Sequence, residues 1–146
     1  MNTRRYLTAR CRPPVCIVAM AALCVIAAGA VARAVDVQDA REVPAMEHPL
    51  PNLPGNSLTA VVVQLAPGAR VPSHHHAGFV FAYVLSGSVR SQLNDGPAVD
   101  YRKGQSWVEP PGTQHSLTAN PSETDSASLL AIFVASGGAK LTTIGP

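Results

Sequence analysis

Three consecutive histidines, His74, His75 and His76, lie between glycine turns at Pro67-Gly68 and Ser86-Gly87. Neutral imidazole is the commonest protein ligand for transition metals. Along a β-strand, successive side chains point to opposite faces. His74 and His76 therefore project to one side and His75 to the other, where it reads as a surface residue. Two imidazoles at i and i+2 can take adjacent positions around one ion, and a third ligand has to come from another strand. His115 is the remaining histidine of the strand region, and it follows a rigid Pro110-Pro111-Gly112 turn. Such a turn fixes where the next strand begins, as a preorganised ligand requires. Glu109 directly precedes that turn; it reads as a rim charge by default, and as a distant fourth ligand or a general base otherwise. His48, in a proline-rich stretch, reads as a solvated loop residue. Tyr83, Gln92 and Trp107 are candidates to line a cavity, although each residue type is more often found in a core or on a sheet face. Arg70 and Arg90 are candidates to bind an anion, against a default of exposed strand arginines.

The elements that position these residues read as strands. Glycine and proline together number 24 in the 146 residues, and strand formers dominate the apolar runs. Strands are expected over Leu58 to Leu65, Arg70 to His76, Phe79 to Leu85, Ser88 to Leu93, Val99 to Arg102, Ser106 to Glu109, His115 to Ala119 and Leu129 to Ala135. Turn signals separate them, Asn94-Asp95-Gly96-Pro97 most clearly. Short strands at such spacing predict an all-β sandwich or barrel. Residues 35–56 carry Pro44, Pro49, Pro51 and Pro54 and read as an extended N-terminal arm, packed along a sheet edge or a partner subunit. Residues 57–136 form the expected barrel and residues 137–146 a C-terminal tail.

Residues 1–34 have the three parts of a secretory signal. Arg4, Arg5, Arg10 and Arg12 form the basic region, Val15 to Ala30 the apolar region, and Ala32 and Ala34 a cleavage site before Val35. Cleavage predicts an exported protein, periplasmic or secreted, with no stable membrane span; an uncleaved anchor is the competing expectation. All three cysteines, Cys11, Cys16 and Cys24, fall in this segment, so the mature domain has neither disulfide nor thiolate ligand. The formal charge of +2 is also concentrated there. Without that segment six Lys+Arg face nine Asp+Glu, a net of −3. The remaining basic residues are few and scattered, which excludes a nucleic-acid surface.

The chain resembles the cupin superfamily. The family's first motif is G, five residues, H-x-H, three or four residues, E, six residues, G. Here it reads Gly68, five residues, His74-His75-His76, Ala77-Gly78-Phe79, Val80, six residues, Gly87. The second motif is G, five residues, P-x-G, two residues, H, three residues, N. Here it reads Gly104, five residues, Pro110-Pro111-Gly112, Thr113-Gln114, His115, then four residues to Asn120. The resemblance implies a double-stranded β-helix, or jelly-roll, barrel that is commonly a homodimer and holds a divalent metal (Fe, Mn, Ni or Zn) in its mouth. It implies His74, His76 and His115 as the ligands. Val80 stands where the family has glutamate, so this ligand set is neutral and its ion's charge uncompensated. Some non-haem iron oxygenases resembling cupins likewise use three histidines.

A neutral ligand set should favour an anionic or chelating small molecule at the open positions. The first functional expectation is a dioxygenase-type or Lewis-acid metalloenzyme, with an apolar pocket around Val80, Ala82 and Val84. The second is a non-catalytic module that binds a small ligand or a metal. The third is a structural barrel used in subunit association.

Overall fold

A computed structural model describes residues 40–145. The expected signal segment with its cysteines, the first residues of the expected arm (35–39) and Pro146 lie outside the described residues. Eleven strands and no helix make up the described residues, which are therefore all-β. None of their elements is a helix long and apolar enough to cross a membrane.

The strands are β1 (Ala40–Pro49), β2 (Asn56–Leu65), β3 (Arg70–Val71), β4 (His74–His76), β5 (Phe79–Ser86) and β6 (Ser88–Leu93). They continue as β7 (Val99–Arg102), β8 (Ser106–Glu109), β9 (Gln114–Ala119), β10 (Ala127–Ser136) and β11 (Thr142–Ile144). One sheet has the order β1-β2-β10-β5-β8, and the other β11-β4-β9-β6-β7 with β3 also paired to β9. Every pairing is antiparallel. The expected strand from Arg70 to His76 is broken in two, because Pro72 lacks the N–H that a ladder needs. Both pieces still pair with the same neighbour, β9.

The segments expected to flank the barrel join the sheets as strands. Ala40–Pro49, inside the expected arm, pairs with β2 from Ala40↔Leu65 to Pro49↔Ser57. It is an edge strand with a register shift between Pro44 and Met46. An edge with a bulge is where a strand tolerates proline. Thr142–Ile144, inside the expected tail, pairs with β4, Thr142 opposite His76 and Ile144 opposite His74. Three residues carry too little alternation to read as a strand from sequence.

Period-two alternation builds the core. On β10 every second residue from Ala127 to Ala135 is buried. On β5 Val80, Ala82 and Val84 turn inward, while Phe79, Tyr83 and Leu85 are exposed. Leu65, Val89, Trp107, Leu129 and Phe133 complete the apolar interior. Buried Asn120 staples the loop before β10: its Nδ2 donates to the carbonyls of Ala66 and Asp125, and its Oδ1 accepts from Ser122 N–H.

Gly87 joins β5 to β6 with φ +67°, and a Cβ there would lie 2.8 Å from the Ser126 carbonyl oxygen. Left-handed backbone and a blocked Cβ position act together against any side chain. Gly87→Ala is expected to lower stability by about 2 kcal/mol or more, measured as a shift in the urea midpoint at unchanged slope.

Candidate metal centre

Three elements bring the histidines together. β4 carries His74 and His76 on its inward face, and β9 carries His115 directly opposite His74 in the register. The start of β9 is set by the preceding turn. Thr113 N–H donates to the Pro110 carbonyl at 3.1 Å, and Gly112 has φ +81°. Proline at the second position and left-handed glycine at the third make this a type II turn. His74 and His115 are buried, and His76 is nearly so. Ring centroids lie 4.8 Å apart for His74 and His76, 5.0 Å for His74 and His115, and 6.4 Å for His76 and His115.

One ligand atom from each of the three rings lies within 4.8 Å of the others. Two metal–nitrogen bonds of about 2.1 Å span at most about 4.2 Å. At the angles of tetrahedral or octahedral coordination adjacent donors lie about 3.0–3.4 Å apart, so the three nitrogens reach a single ion after side-chain movements of about an ångström. Backbone carbonyls fix two of the rings. His74 Nδ1 bonds the Pro72 carbonyl at 2.8 Å, and His76 Nδ1 the Leu141 carbonyl at 3.2 Å. With Nδ1 as the donor, each ring keeps an unprotonated Nε2 for a ligand role, the usual outer support of a metal-binding histidine. Phe133 meets His76 edge-on with centroids 5.2 Å apart. His115 is engaged on both sides. Its Nε2 meets the hydroxyls of Ser91 at 2.8 Å and Thr118 at 2.9 Å, and its Nδ1 faces Glu109 Oε1 at 3.2 Å.

Glu109 departs from its default reading as a rim charge. It is 2% exposed and sits among the histidines. Trp107 Nε1–H donates to Oε1 at 2.9 Å. Oε2 lies 3.6 Å from His76 Nε2 and, among the described residues, is the buried side-chain polar atom without a hydrogen-bond partner. The site is thus not neutral, as the three-histidine reading has it, but includes a carboxylate. Alternation along β8 carries the clue: Trp107 and Glu109 share a face, so an indole in the core takes Glu109 inward with it.

The other candidates divide. Trp107 lines the cavity and stacks on Tyr101 with centroids 4.6 Å apart. Val80 and Ala82 line it too, while Val84 is buried in the core beyond. Tyr83 is on the outer face, and Gln92 donates to the Gly96 carbonyl. Arg90 forms a two-point pair with Asp100 at 2.6 and 2.8 Å, Arg70 is exposed, and none of these four lines the cavity. His75 faces away and pairs with Gln114 and Thr143 through the backbone. His48 is exposed and contacts the Pro49 carbonyl. Sequence reasoning missed Ser91 and Thr118, which hold His115, and it missed Glu42, Thr142 and Ile144, which reach the cavity from β1 and β11.

The cavity holds about 220 Å³ and is walled by Val63, Val71, Leu129 and Ala131 besides the residues above. Such walls shift the titration of the groups inside. Burial lowers the His74 pKa to about 4, against the pull of the Pro72 carbonyl. Burial also lowers His76, partly offset by the Glu109 charge. For Glu109 burial pushes upward most strongly, but the His115 and Trp107 hydrogen bonds and the nearby imidazoles overcome it and leave the pKa lowered. His74 and His76 are therefore neutral and Glu109 ionised at neutral pH, the protonation states that metal ligation requires.

The profile of the cupin domain family matches residues 61–143. Among solved structures, the chain is similar to an uncharacterized conserved protein with a double-stranded β-helix domain from Klebsiella pneumoniae subsp. pneumoniae. That match has 19% identity and a TM-score of 0.59, and covers 76% of this chain and 88% of the other. KdgF from Halomonas sp. is similar at 21% identity over 70% of this chain and 86% of its own, with a TM-score of 0.56. Oxalate decarboxylase from Bacillus subtilis is similar at 29% identity and a TM-score of 0.54, over 72% of this chain but 27% of its own. No curated protein matches the chain significantly.

The lowered histidine pKa values set an acid limit for the metal-free fold. The unfolded chain protonates His74 near 6.5 and the folded chain only near 4, so stability is full above 6.5 and falls as pH drops toward 4. The full loss from His74 alone is about 3 kcal/mol. Urea unfolding at neutral and mildly acid pH should show this fall, and His74→Gln should flatten it.

Proposed function

The chain belongs to the cupin domain family, and from that premise we propose that it is an exported metalloprotein acting on a small anionic or chelating molecule. The observation that carries this reading is the convergence of His74, His76 and His115 on the wall of an apolar cavity. The residues fit a divalent ion of the Fe, Mn, Ni or Zn group. The donors are imidazoles with a carboxylate beside them, a set that suits these metals rather than Mg or Ca. A buried carboxylate oxygen also stands there without a partner.

When bound, such an ion supplies Lewis-acid polarisation of a coordinated oxygen or, for iron, access to dioxygen chemistry. The chain's own residues do the rest. The Pro72 and Leu141 carbonyls hold two rings in one tautomer. Val63, Val71, Val80 and Leu129 exclude water from the ligand's body. A volume of about 220 Å³ limits the occupant to a compact molecule. The likeness to oxalate decarboxylase supports a small acid as the class of ligand. Export rests on the basic and apolar pattern of residues 1–34.

Elemental analysis after purification without chelators should find about one transition metal per chain, lost in His74→Ala and His76→Ala. The iron- and manganese-loaded protein, screened aerobically against small mono- and dicarboxylates, should consume at least one of them. A carboxylate that raises the melting temperature but is never consumed favours the non-catalytic binding module. Full metal content in both histidine variants refutes the site.

A further inference from the structure

We propose that Glu109 replaces the carboxylate missing at Val80 and ligates the metal directly through Oε2. This rests on the metal-binding reading above. Val80 on β5 and Glu109 on β8 are directly opposite in the antiparallel register. Both are buried, at 1% and 2% exposure, so both side chains occupy the inner face. Directly opposed residues in such a pair have Cβ atoms about 4.5–5.5 Å apart, a gap that a glutamate side chain bridges. The carboxylate therefore enters the cavity from the neighbouring strand, at nearly the place a glutamate at Val80 would reach.

Three details favour ligation over packing alone. The first is the division of labour between the oxygens. Oε1 is held by Trp107 Nε1–H at 2.9 Å and faces His115 Nδ1 at 3.2 Å, while Oε2 has no partner. A buried anionic oxygen left unpaired is costly, and native structures rarely keep one without a ligand. The second is spacing. Adjacent donors around an ion with bonds of about 2.1 Å are separated by about 3.0–3.4 Å; Oε2 lies 3.6 Å from His76 Nε2, a small side-chain adjustment from that range. The third is the lone pairs. His76 Nδ1 donates to the Leu141 carbonyl, so in the neutral ring the Nε2 lone pair confronts Oε2. A cation between them turns that repulsion into two bonds. Pro110 supports the placement, because the residue before a proline is held extended.

Glu109→Gln keeps an acceptor for Trp107 and removes the charge. Co(II) titration should show binding weakened at least about tenfold relative to wild type, while the metal-free variant still unfolds in one cooperative transition. Adding Val80→Glu to Glu109→Gln should recover most of the lost affinity; a double variant no tighter than the single one counts against the placement. A crystal structure of the Co(II)-loaded wild type gives an independent reading, with Oε2 expected about 2.1 Å from the ion. Wild type that binds Co(II) with Oε2 beyond about 3 Å, or unchanged affinity in Glu109→Gln, overturns this role alone. Wild type that takes up no Co(II) overturns the metal reading and this role with it.

Discussion

A carboxylate removed from water has to be compensated, and the interior around Glu109 is arranged by that requirement. Trp107 donates to one oxygen, which also faces His115, and the other oxygen faces His76. Trp107 is itself held by Tyr101, and His115 by Ser91 and Thr118. Five strands thus supply side chains whose positions depend on one buried charge. Without a counter-charge such a group raises its pKa and becomes neutral. Here the surrounding donors prevail, and the ionised form is retained.

Sheet register converts this requirement into geometry. Antiparallel pairing places His74 opposite His115 and Val80 opposite Glu109. Alternation turns all four toward the interior. Residues distant in sequence become neighbours with no loop rearrangement, because a strand offers one inward position in every two residues. The Pro110-Pro111-Gly112 turn ties the strand of Glu109 to the strand of His115. The two groups that share the 3.2 Å contact are thereby set by one rigid corner.

Much of this was legible in the sequence. The all-β class follows from the density of turn residues and the β-branched runs, and several strands, such as Ser88–Leu93 and Ser106–Glu109, fall where alternation places them. The juxtaposition of His74, His76 and His115 was legible from strand parity and motif spacing. Glu109 was not, because the register between β5 and β8 is a long-range property and neither strand alone encodes it. The short β11 was equally hidden: three residues of Thr-Thr-Ile become a strand only because β4 offers them an unpaired edge.

That short edge strand also couples two parts of the molecule. The carbonyl that orients His76 belongs to Leu141, immediately before β11, and Thr142 and Ile144 line the cavity. Ile144 is itself 58% exposed, so the strand's attachment buries little apolar surface. Opening of this edge and loss of the His76 orientation are therefore one event. By thermodynamic reciprocity, whatever binds His76 in its held orientation also fastens the edge, and whatever peels the edge away weakens the grip on that occupant by the same factor. The C-terminal strand is in this sense a latch whose strength is set from inside the barrel.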